Sequence, residues 1–368
     1  MDIKIKKEDV FPILSQIQGI LEKRSTLPIF SHILIKTEKK DIQIYASDSE
    51  LSFWVSLPAQ IKKEGAIVLN GKKFFEIVRE LAHGIFEVNL GKNHQVHIKQ
   101  FSSFFKINGL NPEDFPKFPT LKKGKKQNFL AGDILEVIDK TLYCVSLDES
   151  RYHLTGVFLE QSAMKYRFVS TDGHRMSFID IKGTENEELE QGIIIPRKGF
   201  QELKKMLSGS DQKETVELSI EKPRLLVRFK NQNLNIRLIE GQYPNYKSLI
   251  PKKTQHEVII STLDFLSALK RISALTSARF KGVNFTFTKA NLRIDFSHPE
   301  VGEAEEKLAC NYKGEELKVR FNSKYILDIL HSIQDEKIKF LLTDNRSPGL
   351  IKAHSQENYV CLVMPMKL

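Results

Sequence analysis

A chain of 368 residues, 41% hydrophobic and 28% charged with no low-complexity tract, is a globular composition too long for one ordinary domain; it predicts two or three domains and excludes a disordered or fibrous protein. The formal charge of +10 favours a polyanionic partner, although a lysine-rich surface alone gives the same figure. Cys144, Cys310 and Cys361 are far apart and in no CxxC pattern, the start "MDIKIKKEDV" is too charged for a signal peptide, and no run approaches the roughly 18 apolar residues of a membrane helix, so a reducing cytoplasm without disulfides or structural zinc is expected.

In chain order, "DVFPILSQIQGILEK" places Val10, Ile13, Leu14, Ile17 and Leu21 on one helical face. "HILIKTEKKDIQIYASD" alternates as a hairpin, and "GAIVLNGKKFFEIVREL" (65–81) reads as strand, basic turn and amphipathic helix. The proline-broken, lysine-ended "NPEDFPKFPTLKKGKKQ" (111–127) then marks a boundary. The same series follows twice more. "DILEVIDKTLYCVS" carries Ile134, Val137, Ile138 and Leu142, ahead of the hairpin "GVFLEQSAMKYRFVSTD" and of "GIIIPRKGFQELKKML" (192–207). After a second proline and lysine linker, "GQYPNYKSLIPKKTQHE" (241–257), "DFLSALKRISALTS" carries Phe265, Leu269, Ile272 and Leu275, ahead of "GVNFTFTKANLRIDFSH" and "LKVRFNSKYILDILHSI" (317–333).

Helix starts at Phe74, Phe200 and Tyr325 lie 126 and 125 positions apart, and Asp9, Asp133 and Asp264, each of a residue type able to act as an N-cap, are 124 and 131 apart. The period is a duplicated domain, far longer than a solenoid unit. The expected fold is α+β, three similar domains at 1–126, 127–254 and 255–368, each with two helices packed on antiparallel sheets. Similar domains in sequence form a curved array, which closes into a ring if its ends are self-complementary.

"STDGHRMS" (170–177) is the stretch that most resembles chemistry. Asp172–Gly173 reads as a two-residue hairpin turn with positive φ at both positions, which leaves His174 and Arg175 at a rigid edge. A hydrolase or nuclease using His174 needs a carboxylate to orient the ring, and Asp172 is poorly placed for that. GxSxG, HExxH and metal-spaced histidines are absent, and "GAIVLNGKK" has the wrong spacing for a phosphate loop and lacks its Ser/Thr. No catalytic residue, metal or cofactor is expected.

The chain resembles the family of bacterial β sliding clamps, the processivity subunits of DNA polymerase III. The resemblance spans the whole length through "KRSTLPI" (23–29), "RYHLTGV" (151–157), "TDGHRMS" (171–177), "IIPRKG" (194–199), "GQYPNY" (241–246), "RFKGVNF" (279–285), "FNSKYILDIL" (321–330), "LTD" (342–344) and "VMPMKL" (363–368). It implies a head-to-tail homodimeric ring with helices lining the central hole, a non-catalytic DNA sliding clamp that encircles duplex DNA without reading sequence. The family is commonly acidic; this chain is basic.

By resemblance, Arg24, Tyr152, His153, Arg197 and Lys198 touch DNA, and repeat position adds Arg79, with Lys140, Lys204, Lys205, Lys270 and Arg271 as further helix cations. A hydrophobic groove for short linear peptides of partners is implied at Leu154, Thr171, Gly173, His174, Arg175, Met176, Pro244, Leu249, Leu362, Val363, Met364, Pro365 and Met366, with Asn322 and Tyr325 at its rim. Its methionines suit varied ligands, and Ser248 stands where relatives often carry arginine. The implied partners are the polymerase III catalytic subunit, the clamp loader, other polymerases, ligase and mismatch-repair proteins. Ring closure is expected to bring Phe105 and Ile107 against Ala274 and Leu275 of a second subunit. The alternative is a non-topological basic DNA-binding protein.

Overall fold

The computed structural model describes residues 1–21, 27–118, 125–162, 164–183, 192–277 and 279–367. Six α-helices occur among them: α1 (Lys7–Ile17), α2 (Gly71–Glu80), α3 (Ala131–Thr141), α4 (Arg197–Leu207), α5 (Thr262–Ser273) and α6 (Ser323–Ser332). Each begins where a strand stops: Asp2–Lys6, Ala66–Asn70, Lys125–Leu130, Ile193–Pro196, His256–Ser261 and Leu317–Asn322. The strand and helix plan expected for α2, α4 and α6 therefore holds for all six.

Within the helices the predicted apolar stripes are the buried ones, while Leu142 and Leu275 lie past the ends of α3 and α5 and are half-buried. Val10, Ile13, Leu14 and Ile17 of α1, Ile134, Val137 and Ile138 of α3, and Phe265, Leu269 and Ile272 of α5 are all buried. Helix starts differ from expectation. Asp9, Asp133 and Asp264 are not N-caps; they lie in the first turn, because each helix starts directly from its strand. There the carboxylates still oppose the positive end of the helix dipole. Capping falls to Asn70, Ser261 and Asn322, whose side-chain oxygens accept from the amides of Lys73, Asp264 and Lys324. Helix α1 stops at Ile17, so Leu21 is buried beyond its end.

All strand pairing is antiparallel, and the chain separates into two compact units, Met1–Leu135 with Lys198–Leu238, and Glu136–Arg197 with Ile239–Leu368. The first unit holds a five-stranded sheet that ends on Ser103–Asn108 and an eight-stranded sheet in which Gln232–Arg237 pairs with Leu51–Pro58. The second holds a four-stranded sheet and an eight-stranded sheet in which Arg175–Lys182 pairs with Tyr359–Val363. Strands of the middle repeat thus extend a sheet of a flanking repeat in each unit. That pairing removes sheet edges that would otherwise be exposed. The expected boundary at 126 falls inside the strand Lys125–Leu130, and that at 254 falls just ahead of His256–Ser261.

Candidate functional site

The site grows from the hairpin between Lys165–Thr171 and Arg175–Lys182, where Thr171 opposes Met176. The turn is shifted by one residue from the sequence expectation. Its centre is Gly173–His174, Gly173 alone carries positive φ (+89°), and Asp172 pairs back to Arg175 through its amide. The Asp172 carboxylate accounts for this shift, because its Oδ1 accepts from the amides of His174 (2.9 Å) and Arg175 (3.0 Å). A side chain that ties down its own turn does not need the left-handed backbone expected of it. Thr171 closes the turn from below, donating to the Arg175 carbonyl at 2.6 Å and accepting from the Gly173 amide at 3.0 Å.

Arg175 stands under the hairpin and not on the groove surface. It is 8% exposed; its guanidinium donates to Asp172 (3.0 Å), Asp328 (2.6 Å) and the Tyr143 carbonyl (2.6 Å), and it lies 4.6 Å from the Tyr325 ring centre. Burial works against its charge, but Cys144, Asp328 and Asp172 outweigh burial and raise its pKa above the ordinary value. His174 is exposed and its ring stacks on Tyr325 at 6.4 Å; Asp172 contacts its amide, and among the described residues no carboxylate pairs with the imidazole. A catalytic dyad is not assembled.

The carboxyl-terminal segment lies alongside. Val363 and Leu362 oppose Arg175 and Met176, the Met364 amide donates to the His174 carbonyl (2.9 Å), and the Met366 amide donates to the Arg320 carbonyl (2.7 Å). Leu154, Met176 and Leu362 belong to one apolar cluster with Tyr243 and Tyr246, and Met364 packs against it. Gly173, His174, Pro244, Leu249 and Met366 are exposed, while Pro365 and Tyr325 are half-buried. The expected groove residues therefore separate into a buried apolar floor and an exposed lip. Asn322 departs from the expectation of a rim residue: it is buried, and its side chain caps α6. Ser248 is exposed and its hydroxyl donates to the Asn245 carbonyl (2.7 Å).

Beside this hairpin opens a cavity of about 460 Å³ lined by residues that include Tyr143, Asp148, Arg151, His174, Arg197 and Tyr325. Sequence reasoning missed it, because Tyr143 and Asp148 come from a stretch of the chain far from Asp328 and meet it only through the fold.

The expected DNA contacts fare unevenly. Arg24 lies outside the described residues. Arg79 is exposed on α2, with its Nε on Glu80 at 2.8 Å. Tyr152 is exposed and packs edge-on against His153 at 5.6 Å. Arg197 and Lys198 diverge: Arg197 lines the cavity, whereas the Lys198 ammonium is paired with the buried Asp48 carboxylate. Lys140 is buried and held by Glu136 (2.5 Å) and Gln356 (2.6 Å), so it is not an exposed phosphate ligand. Arg271 is exposed and engaged by Glu306 at 2.6 Å.

Phe105 and Ile107 are half-buried on Ser103–Asn108, opposite Ile98 and Val96, on a strand whose outer edge is unpaired among the described residues. Phe104 and Phe101 beside them are 54% and 89% exposed. Ala274 is exposed at the end of α5 and Leu275 is half-buried. Among the described residues, no helix is long and apolar enough to cross a membrane, and no group of three or more His, Cys, Asp or Glu is placed to hold a metal.

Comparison with known proteins spans the same length. Residues 1–119, 130–245 and 247–367 match the N-terminal, central and C-terminal domain models of the DNA polymerase III beta subunit. The beta sliding clamp of Proteus mirabilis is 30% identical over 374 residues, covering 100% of both chains. The sliding clamp structure from Bacillus subtilis aligns with a TM-score of 0.96 at 28% identity, covering 100% of this chain and 99% of that one. That from Bartonella birtlesii, bound to griselimycin, aligns with a TM-score of 0.95 at 28% identity, covering 100% of both. With its three consecutive clamp domains and full-length relatives, the chain belongs to the family of bacterial beta sliding clamps, the DNA polymerase III beta subunits.

Proposed function

We propose that this protein works as a head-to-tail dimeric ring that encircles duplex DNA, holds the replicative polymerase on its template and performs no chemistry itself. The observation that carries this is the threefold strand and helix plan, matched domain by domain to one family over the full chain. The domains run close to 1–126, 127–254 and 255–368, and the ring acts in the cytoplasm. A topological grip needs no base contacts and only weak phosphate contacts, as tight ones would oppose sliding. Candidates for those contacts are Arg24, Arg79, Tyr152 and His153, whereas Arg197, expected among them, lines the cavity beside the groove. Lys198 is the weakest of the set, since leaving Asp48 would strand a buried carboxylate.

The groove beside Met364–Met366 receives short apolar peptides of the polymerase, clamp loader, ligase and repair proteins. A buried floor of Leu154, Met176 and Leu362 with an exposed lip of His174 and Met366 supports that use. Griselimycin held by the Bartonella birtlesii clamp supports a ligand-binding role for this family. Loaded protein is expected to stay on closed circular DNA and to leave once the circle is cut. Equal retention on circular and linear DNA would return the assignment to an ordinary basic DNA-binding protein.

A further inference from the structure

We propose that the cavity beside the groove is a carboxylate-binding annex that reads an acidic side chain flanking the apolar core of a docked peptide. The inference rests on the groove assignment and goes beyond it.

Three carboxylates line the cavity, and each is already neutralised within it. Asp148 accepts from Arg151 (3.1 Å) and from the Ser150 amide and hydroxyl (3.1 and 2.6 Å). Asp172 accepts from the amides of its own turn and from Arg175, and Asp328 accepts from Arg175. Two further cations that line the cavity have no such partner. Arg197 has a buried Nε without a hydrogen-bond partner, and among the described residues neither Arg197 nor Lys324 forms an ion pair. Neither charge is compensated by a carboxylate among the described residues, so an anion entering the cavity would displace no ion pair. A carboxylate suits this site, because it takes two parallel hydrogen bonds from a guanidinium and is attracted by a second cation in the same lining.

The walls identify the carrier. His174, Asp172, Arg175 and Tyr325 line the cavity and also build the groove hairpin and its edge. A peptide crossing His174 thus has its flanking residues at the cavity mouth. A nucleic-acid strand fits less well, since a run of phosphates also meets Asp148, Asp172 and Asp328, whereas one carboxylate adds a single negative charge to a lining that already holds two cations without an ion pair.

The test uses the full-length protein and fluorescently labelled peptides with one Leu- and Phe-containing apolar core, flanked on either side by Asp-Asp or by Asn-Asn. The readout is the ratio of the two affinities on the same protein. One flank is expected to show about a tenfold preference for Asp-Asp, the scale of one charged hydrogen-bonded contact, fading as salt rises. In the Arg197→Gln/Lys324→Gln variant the ratio is expected to fall towards one. Equal binding of the paired peptides to the unaltered protein, or a preference that survives both substitutions, overturns the annex. So does a single-stranded oligonucleotide that loses affinity in the variant while the peptide ratio holds, which would assign the cations to nucleic acid. Failure of the groove reading looks different: the Asn-Asn peptides do not bind, or bind unchanged after removal of residues 364–368.

Discussion

Arg175 shows how one buried side chain ties three segments of the chain together. Its guanidinium joins the turn through Asp172, helix α6 through Asp328 and the backbone after α3 through Tyr143. Arg175→Ala removes the donor to Asp328 and to the Tyr143 carbonyl and leaves Asp172 held only by the amides of its own turn. The expected loss is about 2–4 kcal/mol, below the figure for a fully buried pair because Asp328 is partly exposed. Arg175→Lys restores charge but not the three-way fork, so it should recover less than half. Urea unfolding midpoints measure both, and a loss under about 1 kcal/mol for the alanine variant would contradict the brace. The neighbouring thiols have no comparable role. Burial pushes Cys361 up to about 11 and Cys144 well above its ordinary value, so both stay protonated and unreactive at neutral pH.

At the scale of elements, the recurring device is a strand running without a loop into a helix, whose first turn is tied by the last strand residue. Asn70, Ser261 and Asn322 do this in α2, α5 and α6. Asn322→Ala should therefore destabilise by about 1 kcal/mol, with Asn322→Ser retaining most of the stability. A rim role predicts the reverse pattern: peptide affinity falls and the unfolding midpoint stays. The periodic helix faces were legible in advance because burial of one stripe is a local property of spacing. The caps were not, because the three aspartates fit the cap pattern equally well and only the length of the preceding strand moves them inward.

For the whole molecule, the unpaired edge of Ser103–Asn108, with four aromatic or aliphatic side chains from Phe101 to Ile107 at or near it, is the feature that asks for a partner. Ile107→Asp should lower the solution mass from two chains to one at low concentration, and sedimentation velocity reads this directly. A dimer that persists unchanged would place ring closure elsewhere. The positive net charge raises non-specific attraction to DNA, so short linear duplexes should bind weakly and with steep salt dependence, distinct from the retention that encirclement produces.

The repeat, the helix stripes, the hairpin and the apolar tail could all be read from the chain, because each is a pattern of spacing between near neighbours. Tertiary structure decided what long-range pairing alone can decide. It shifted the turn onto Gly173–His174 through the Asp172 carboxylate, and it sent Arg197 and Lys198 to different neighbours. It also collected Asp148, Arg197, Lys324 and Asp328 around one cavity. Charges that meet across more than a hundred residues leave no periodic mark in a sequence, since the fold, and not their spacing, sets the distance between them.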